Sequence, residues 1–510
     1  MFTVGWALKQ SRHKYGDKTA LIFGGKSETY RDLDEYTDRF ARALRNLGLR
    51  SGDRVALMLP NGLDMVHAYF GVAKAGLLGV PLNLRWSAPE IAFVLEDAAV
   101  GAILAGGEFT SMLALSPMRD QVPIYIFGDG GGDFTHWDDV MASADAATPL
   151  PEVSERDPWV VVYTSGTTGQ PKGAVRSHYS NVIIALSMAS EFGISPDDVG
   201  FAILPMFHVN SMWFVTLSMV IGATCVIYSR RAFHPVHVVD EMNAFGVTYG
   251  MFVPSLLTFL ADGVDKGQLD PATLKVLMTS SAPLDTTLRD RLLRGFPTAR
   301  LFDIYGATEY GVASAMRHRL GGTLGSVGYA AMGQEIRILD ANHASLPPGQ
   351  IGEIYVRGPS LMDGYFRHED ATRAAFTKDG GFLTVGDLGY LTEDGLLYLV
   401  GRKQDMIIVA GENVYPKEVE DVLLSDSAVA LAAVVGIADQ RRGERPVALV
   451  VPRPEHVVNV AQLHRLCRER LADYKRPVAI EVVAELPVGP VGKVIRRLAK
   501  QAYLDSRAPS

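Results

Sequence analysis

At 510 residues the chain exceeds what a single hydrophobic core supports, so more than one domain is expected. With 48% hydrophobic and 21% charged residues it reads as an ordinary globular enzyme, and a net charge of −8 argues against a dedicated nucleic-acid binder. Its two cysteines, Cys225 and Cys467, form neither a disulfide framework nor a zinc spacing, which suits a reducing cytoplasm. Met1 to Lys9 has no basic region followed by a long apolar run, so no secretory signal is expected. Tyr30 to Leu47 carries apolar residues at helical spacing, and Arg54 to Leu59 reads as a short buried strand ended by Pro60-Asn61-Gly62. Asp64 to Ala75 is helical again, and Leu78 to Leu82 is strand-like. Val160 to Tyr163 reads as a buried strand. Val199 to Ser229 holds no Asp, Glu, Lys or Arg, but Pro205, His208, Asn210 and Gly222 interrupt it. A buried helix over Ser211 to Ile221, stopped at Gly222, and a strand over Thr224 to Tyr228 are therefore expected in place of a membrane span. The alternation continues with a helix Val236 to Phe245, a strand Val247 to Val253 and a helix Leu256 to Leu260, the pattern of α/β layers with largely parallel sheets. After Pro347-Pro348-Gly349 the chain turns strand-rich, with Gly352 to Gly358 and Leu396 to Val400. A boundary near Gly401 to Asp405 precedes a smaller region with its own helices and strands.

Five clusters carry chemistry. The first is Tyr163-Thr164-Ser165-Gly166-Thr167-Thr168-Gly169-Gln170-Pro171-Lys172-Gly173, a glycine- and hydroxyl-rich turn leaving a strand. Its backbone N–H groups can approach phosphate oxygens closely and its hydroxyls can donate to them. It is not a Walker loop, which ends Gly-Lys-Ser/Thr, and the lookalike at Gly25-Lys26-Ser27 fails because Ala20 stands where the first glycine belongs. A nucleotide enzyme outside the P-loop class is expected; the plain alternative is a Gly/Thr-rich surface turn. The second is Tyr305-Gly306-Ala307-Thr308-Glu309, after the strand-like Leu301 to Ile304. It offers a ring for a base, a hydroxyl for a phosphate and a carboxylate for Mg²⁺, although a strand–turn–helix junction supplies the same residue types. The third, Gly386-Asp387-Leu388-Gly389, presents a carboxylate that can accept from ribose hydroxyls; turns also use Asp and Gly commonly. The fourth runs from Gly401-Arg402-Lys403-Gln404-Asp405 through Val409-Ala410-Gly411 to Glu420. The fifth, Leu486 to Val494, presents Lys493 after Gly492.

In this order and spacing the five clusters resemble the adenylate-forming superfamily, in particular AMP-forming acyl-CoA synthetases, over Tyr30 to Arg497. The resemblance implies an α/β fold: a large N-terminal AMP-binding domain of layered sheets and helices with a β-rich subdomain, residues 1–402, and a small mobile α+β domain, residues 403–510. It implies that Thr164, Ser165, Gly166, Thr167, Thr168, Gly169 and Lys172 hold the ATP phosphates, with Thr164 and Glu309 contacting Mg²⁺. Adenine would lie between Tyr305-Gly306 and Ser281-Ala282-Pro283, with Asp303 at its amino group and Thr308 at a phosphate. Asp387 and Arg402 match ribose contacts, Gln404 the hinge, and Lys493 the mobile catalytic lysine. Gln404 replaces the family's frequent Asp or Lys, Val409-Ala410-Gly411 its common Ser-Gly-Gly, and Val488 to Val491 its usual Arg-Thr-x-Thr. For coenzyme A, Arg442, Tyr474 and Arg476 match positions where relatives place contacts.

The implied reaction activates a carboxylate with ATP, then transfers the acyl group to CoA. Amino-acid adenylation domains usually carry an Asp after the position of His208; here Met212 and Trp213 follow, which favours an acid without an α-amine. The expected pocket comprises His208, Val209, Asn210, Met212, Trp213, Met251, Ser280 and Ile304, a bulky and mostly apolar set suited to a medium-chain, cyclic or aromatic acid. An acyl-AMP ligase serving a carrier protein is the alternative. A homodimer is compatible with the resemblance.

Overall fold

The computed structural model describes residues 2–115, 117–164, 171–270, 272–280, 284, 286–322, 325–410, 412–439, 441–489 and 494–507. It divides into two compact units, residues 1–324, 328–335 and 356–383 in the first and 325–327, 336–355 and 384–510 in the second.

The first unit is built on two sheets. In one, the strands Gly364–Tyr365, Lys172–Ser177, Pro158–Thr164, Leu78–Pro81, Arg54–Met58, Ala102–Gly106, Ile124–Phe127 and Thr135–His136 lie side by side in that order. Its inner pairs are parallel, as the alternation of strand and helix requires. Trp159 to Tyr163 is buried without a break, because both faces of the sheet are covered. In the other, Val199–Ala202, Thr224–Ile227, Tyr249–Phe252, Val276–Ser280 and Arg300–Ala307 pair in parallel, and Gly311–Arg317 returns antiparallel to the last of them. One core joins the sheets. It takes Leu57 and Val160 from one, Cys225 and Met278 from the other, and Phe70, Met188 and Phe214 from helices.

Those helices form where the local chemistry directs. Tyr30–Asn46 opens on a reciprocal cap between Thr29 and Asp32. Val209–Ile221 ends at Gly222, whose φ of 86° closes the helix in the left-handed region. The uncharged segment expected to be a core helix and strand is such a pair, Val209–Ile221 and Thr224–Ile227. Among the described residues no helix is long and apolar enough to cross a membrane. The helix expected over Leu256 to Leu260 runs longer, Pro254–Asp265, because packing of Leu257, Leu260 and Ala261 carries it past Asp262-Gly263.

In the second unit, Asp387–Leu391 and Leu397–Arg402 form an antiparallel pair, and Val429–Asp439 pairs antiparallel with Gly443–Pro452, which Ala479–Val482 joins in parallel. The helices Pro416–Leu424 and Val460–Arg470 bury Val419, Leu423, Leu463 and Cys467 against this sheet.

Candidate active site

The hydroxyl-rich cluster is the loop of a β-hairpin. Strand Pro158–Thr164 pairs antiparallel with Lys172–Ser177, and the register sets Thr164 opposite Lys172. The chain after the loop enters a strand and not a helix, and Lys172 places a positive charge at the start of that strand. Ser165, Gly166, Thr167, Thr168 and Gly169 lie outside the described residues.

The Tyr305–Glu309 cluster is a second hairpin, not a strand-to-helix junction: Arg300–Ala307 turns through Thr308, Glu309 and Tyr310 into Gly311–Arg317. Gly306 is required there, since a Cβ would stand 2.3 Å from the carbonyl oxygen of Gly311. Tyr305 is buried and its hydroxyl accepts from Tyr310 Oη at 2.6 Å. Asp303 is buried on the same strand, with Thr279 as its register partner on the neighbouring strand. Ser281, Ala282 and Pro283 lie outside the described residues.

The two hairpins meet at Glu309. Its Oε1 accepts from Thr164 Oγ1 at 3.4 Å and from Tyr365 Oη at 2.9 Å, and the Lys172 ammonium stands 5.5 Å from the centre of the Tyr365 ring. A carboxylate and a hydroxyl converging from separate strands offer the hard oxygen donors that Mg²⁺ takes, with phosphate oxygens and water able to complete the set. Thr164 and Glu309 therefore fit that ion. Among the described residues no group of three or more His, Cys, Asp or Glu could hold a metal by itself.

Two contributors to this geometry were not read from the sequence. Tyr365 lies 56 residues from Glu309 in a two-residue strand, and nothing in its neighbourhood marks it. Arg176 follows the hydroxyl-rich cluster and is wholly buried. Its guanidinium donates to the Thr308 carbonyl at 2.6 Å and the Ser360 carbonyl at 2.7 Å, and lies 5.1 Å from the Trp213 ring. Burial pulls its pKa down to about 10, so it stays charged at neutral pH. Sequence alone does not distinguish this arginine from a solvated one on an edge strand.

The residues expected to hold the acid cluster around helix Val209–Ile221. Val209, Met212, Trp213, Met251 and Ile304 are all buried in the joint core. Trp213 Nε1 donates to Asn181 Oδ1 at 2.9 Å, and Asn210 Nδ2 donates to Ser280 Oγ at 3.2 Å. His208 caps the helix start, and its Nε2 is buried with no partner among the described residues. Burial, then the positive charge of Arg85, lowers its pKa to about 4, so the ring is neutral near pH 7.

His178, stacked on Trp159 at 6.2 Å, is lowered further, to about 3, by burial. Both histidines have folded pKa values below their ordinary 6.5, so the unfolded chain binds protons that the folded chain refuses. Their contribution is present above pH 6.5 and is lost as pH falls from there toward the folded values. Over pH 7 to 5, denaturant unfolding should show that His178→Gln loses about 2 kcal/mol less stability than the unsubstituted protein. Equal losses would show that His178 is not the titrating group.

In the second unit the register of the Asp387–Leu391 and Leu397–Arg402 strands pairs Asp387 with Arg402, and Arg402 Nε lies 3.1 Å from Asp387 Oδ1. Gln404 is exposed in the turn Lys403–Asp405. Gly411 lies outside the described residues, but its neighbour Ala410 has φ 51°, a left-handed conformation that costs a side-chain-bearing residue about 1–2 kcal/mol. This accounts for the glycine usual in the Ser-Gly-Gly version of the motif. Ala410 N donates to the Arg442 carbonyl at 2.7 Å, leaving the exposed Arg442 side chain beside this turn. Arg476 closes the end of helix Val460–Arg470, with Nε donating to the Leu471 carbonyl at 3.0 Å and Nη1 3.2 Å from Asp473 Oδ1. Tyr474 packs against the same unit's core. Lys493 lies outside the described residues; the ends of its loop are joined by a bridge between Val488 and Val494.

The two hairpins thus bring Thr164 and Lys172 from one and Glu309 from the other to one place, with Tyr365 in contact with Glu309 and Lys172. The AMP-binding enzyme family model matches residues 8–366, and the AMP-binding enzyme C-terminal domain model matches residues 418–493. The chain belongs to the AMP-binding enzyme family. It is 34% identical to the fatty acid–[acyl-carrier-protein] ligase ScoC of Streptomyces coeruleorubidus, over 95% of this chain and 93% of that one. It is 31% identical to the 2-succinylbenzoate–CoA ligase of Bacillus cereus (strain AH820), over 97% of each. The solved o-succinylbenzoate CoA synthetase of Bacillus subtilis matches at 30% identity in two complexes. With its acyl-adenylate intermediate the TM-score is 0.86 over 97% of each chain; with ATP and magnesium ion it is 0.85 over 97% of this chain and 99% of that one. The mixed α/β architecture, with a large sheet-rich N-terminal part and a smaller C-terminal part, is the fold of these enzymes.

Proposed function

We infer that the protein is an AMP-forming carboxylic acid–CoA ligase. The observation that carries this reading is the convergence of Thr164, Lys172 and Glu309, in a chain that matches both AMP-binding family models and CoA ligases over nearly its whole length.

In the first step a carboxylate oxygen attacks the α-phosphorus of ATP in line, the bond to the bridging oxygen breaks, and pyrophosphate leaves. Lys172 and the loop Ser165 to Gly169 hold the departing phosphates, and Lys493 meets the negative charge that gathers on the carboxylate and the α-phosphate. Thr164 and Glu309 would hold Mg²⁺, which when bound neutralises phosphate charge. Tyr305 and the Ser281 to Pro283 segment hold adenine, Asp303 its amino group, and Asp387 with Arg402 the ribose. In the second step the CoA thiol loses its proton and its sulfur attacks the acyl carbonyl, so that AMP leaves. We assign the pivot between steps to Gln404, with residues 1–402 and 403–510 as the moving parts, and contacts to CoA to Gly411, Arg442, Tyr474 and Arg476. Positioning and a good leaving group supply the rate.

The acid is proposed to be medium-chain, cyclic or aromatic, bounded by His208, Met212, Trp213, Met251 and Ile304. Trp213→Ala should let bulkier acids turn over; an unchanged acid profile would remove Trp213 from the pocket. A cytoplasmic location belongs to this reading, since both cysteines are buried free thiols.

The test is pyrophosphate release from ATP and Mg²⁺ across aliphatic, cyclic and aromatic acids, with and without CoA. Turnover to thioester that needs both acid and CoA is expected. The relationship to ScoC favours one second reading, transfer to a carrier protein, which adenylate formation with no thioester from CoA would support. No acid-dependent pyrophosphate release would overturn both.

A further inference from the structure

We propose that Tyr365 is a positioning residue that orients both charged groups of the phosphate end of the site, the Glu309 carboxylate through its hydroxyl and the Lys172 ammonium through its ring. This rests on the nucleotide site described above.

The backbone around Tyr365 is held on both sides. Asp363 N donates to the Val175 carbonyl at 2.9 Å and Phe366 N to the Gly173 carbonyl at 2.7 Å, so Gly364–Tyr365 adds a rung to the strand that begins at Lys172. Tyr365 N donates to Thr372 Oγ1 at 2.8 Å, which ties it to helix Glu369–Ala375 as well. From this anchored position one side chain reaches both groups: Oη donates to Glu309 Oε1 at 2.9 Å, and the ring lies 5.5 Å from Lys172 Nζ. The two contacts differ in kind. The hydrogen bond restrains the direction of the carboxylate, and a hydrogen bond to a charged group is among the stronger ones. The ring attracts the ammonium without neutralising it, leaving its charge available for phosphate. An ion pair in the same place would cancel that charge.

The two functions separate experimentally. Tyr365→Phe deletes the hydroxyl and keeps the ring; Tyr365→Leu deletes both. Binding of ATP to the full chain is to be measured by calorimetry, once with excess Mg²⁺ and once with EDTA. Tyr365→Phe should bind ATP with Mg²⁺ about tenfold more weakly, while metal-free ATP binds as in the unsubstituted protein. Tyr365→Leu should weaken both, with the metal-free loss restored by the phenylalanine. A loss of packing alone would weaken both forms equally in both variants, and that result would overturn the proposal. So would Tyr365→Phe binding both forms normally. Failure of the unsubstituted protein to bind ATP under either condition would instead overturn the ligase reading itself, and this proposal with it.

Discussion

Lys493→Ala is expected to slow acyl-adenylate formation by about 10²–10³-fold, while thioester formation from supplied acyl-adenylate stays close to that of the unsubstituted protein. Two anions, a carboxylate and a triphosphate, must approach in the first step, and charge accumulates on the α-phosphate oxygens as the bond forms. The second step brings a thiol to an uncharged carbonyl carbon and has less need of that cation. The chain just beyond the lysine is well anchored for placing it. Arg496 bonds Asp405 Oδ2 at 3.0 Å and Glu420 Oε2 at 2.5 Å, and Ile495 N donates to the Pro487 carbonyl at 2.8 Å. Acid-dependent pyrophosphate release measures the first step; single-turnover thioester formation measures the second. Equal losses in both would show that Lys493 does not carry the role assigned to it.

The second large effect is expected at Arg176. Arg176→Met keeps a side chain of similar length against Trp213 but removes the donors to the Thr308 and Ser360 carbonyls. Losing the charge relieves a desolvation cost, which works in favour of the variant. The buried Ser360 carbonyl left unpaired costs about 1–3 kcal/mol and the half-buried Thr308 carbonyl, which water can reach, costs less, so a net loss of about 1–3 kcal/mol is expected in denaturant unfolding. Arg176→Lys should be intermediate, since one ammonium replaces a fork that spans two carbonyls. Because Thr308 belongs to the turn that carries Glu309, KM for ATP with Mg²⁺ should rise in both variants. Unchanged stability in Arg176→Met would mean that the fork contributes nothing net to the fold.

Much of this was legible in the chain. The uninterrupted apolar run at Val160 to Tyr163 and the helix stop at Gly222 are local effects, and local chemistry decides them. The charge-free stretch from Val199 to Ser229 could be read as a core helix and strand because its breakers lie within it. Element ends shifted by a residue or two where packing outweighs propensity, and the helix at Pro254–Asp265 outran its apolar pattern. The site was legible only as ordered clusters. That Thr164 and Glu309 belong together followed from resemblance to a family, not from any spacing between them.

The sequence by itself determined the alternation of strands and helices and the hydroxyl-rich turn that follows Val160 to Tyr163, because periodicity and turn residues act over a few positions; roles for Glu309, Asp387 and Lys493 came only through resemblance to a family. Only the tertiary structure decided that Glu309 sits in a hairpin turn, that Thr164 and Tyr365 both reach its Oε1, and that Arg176 is a buried clamp and not a surface charge. Those facts depend on which strands lie side by side, and register between distant strands is set by packing of the whole core, which no local stretch of residues encodes.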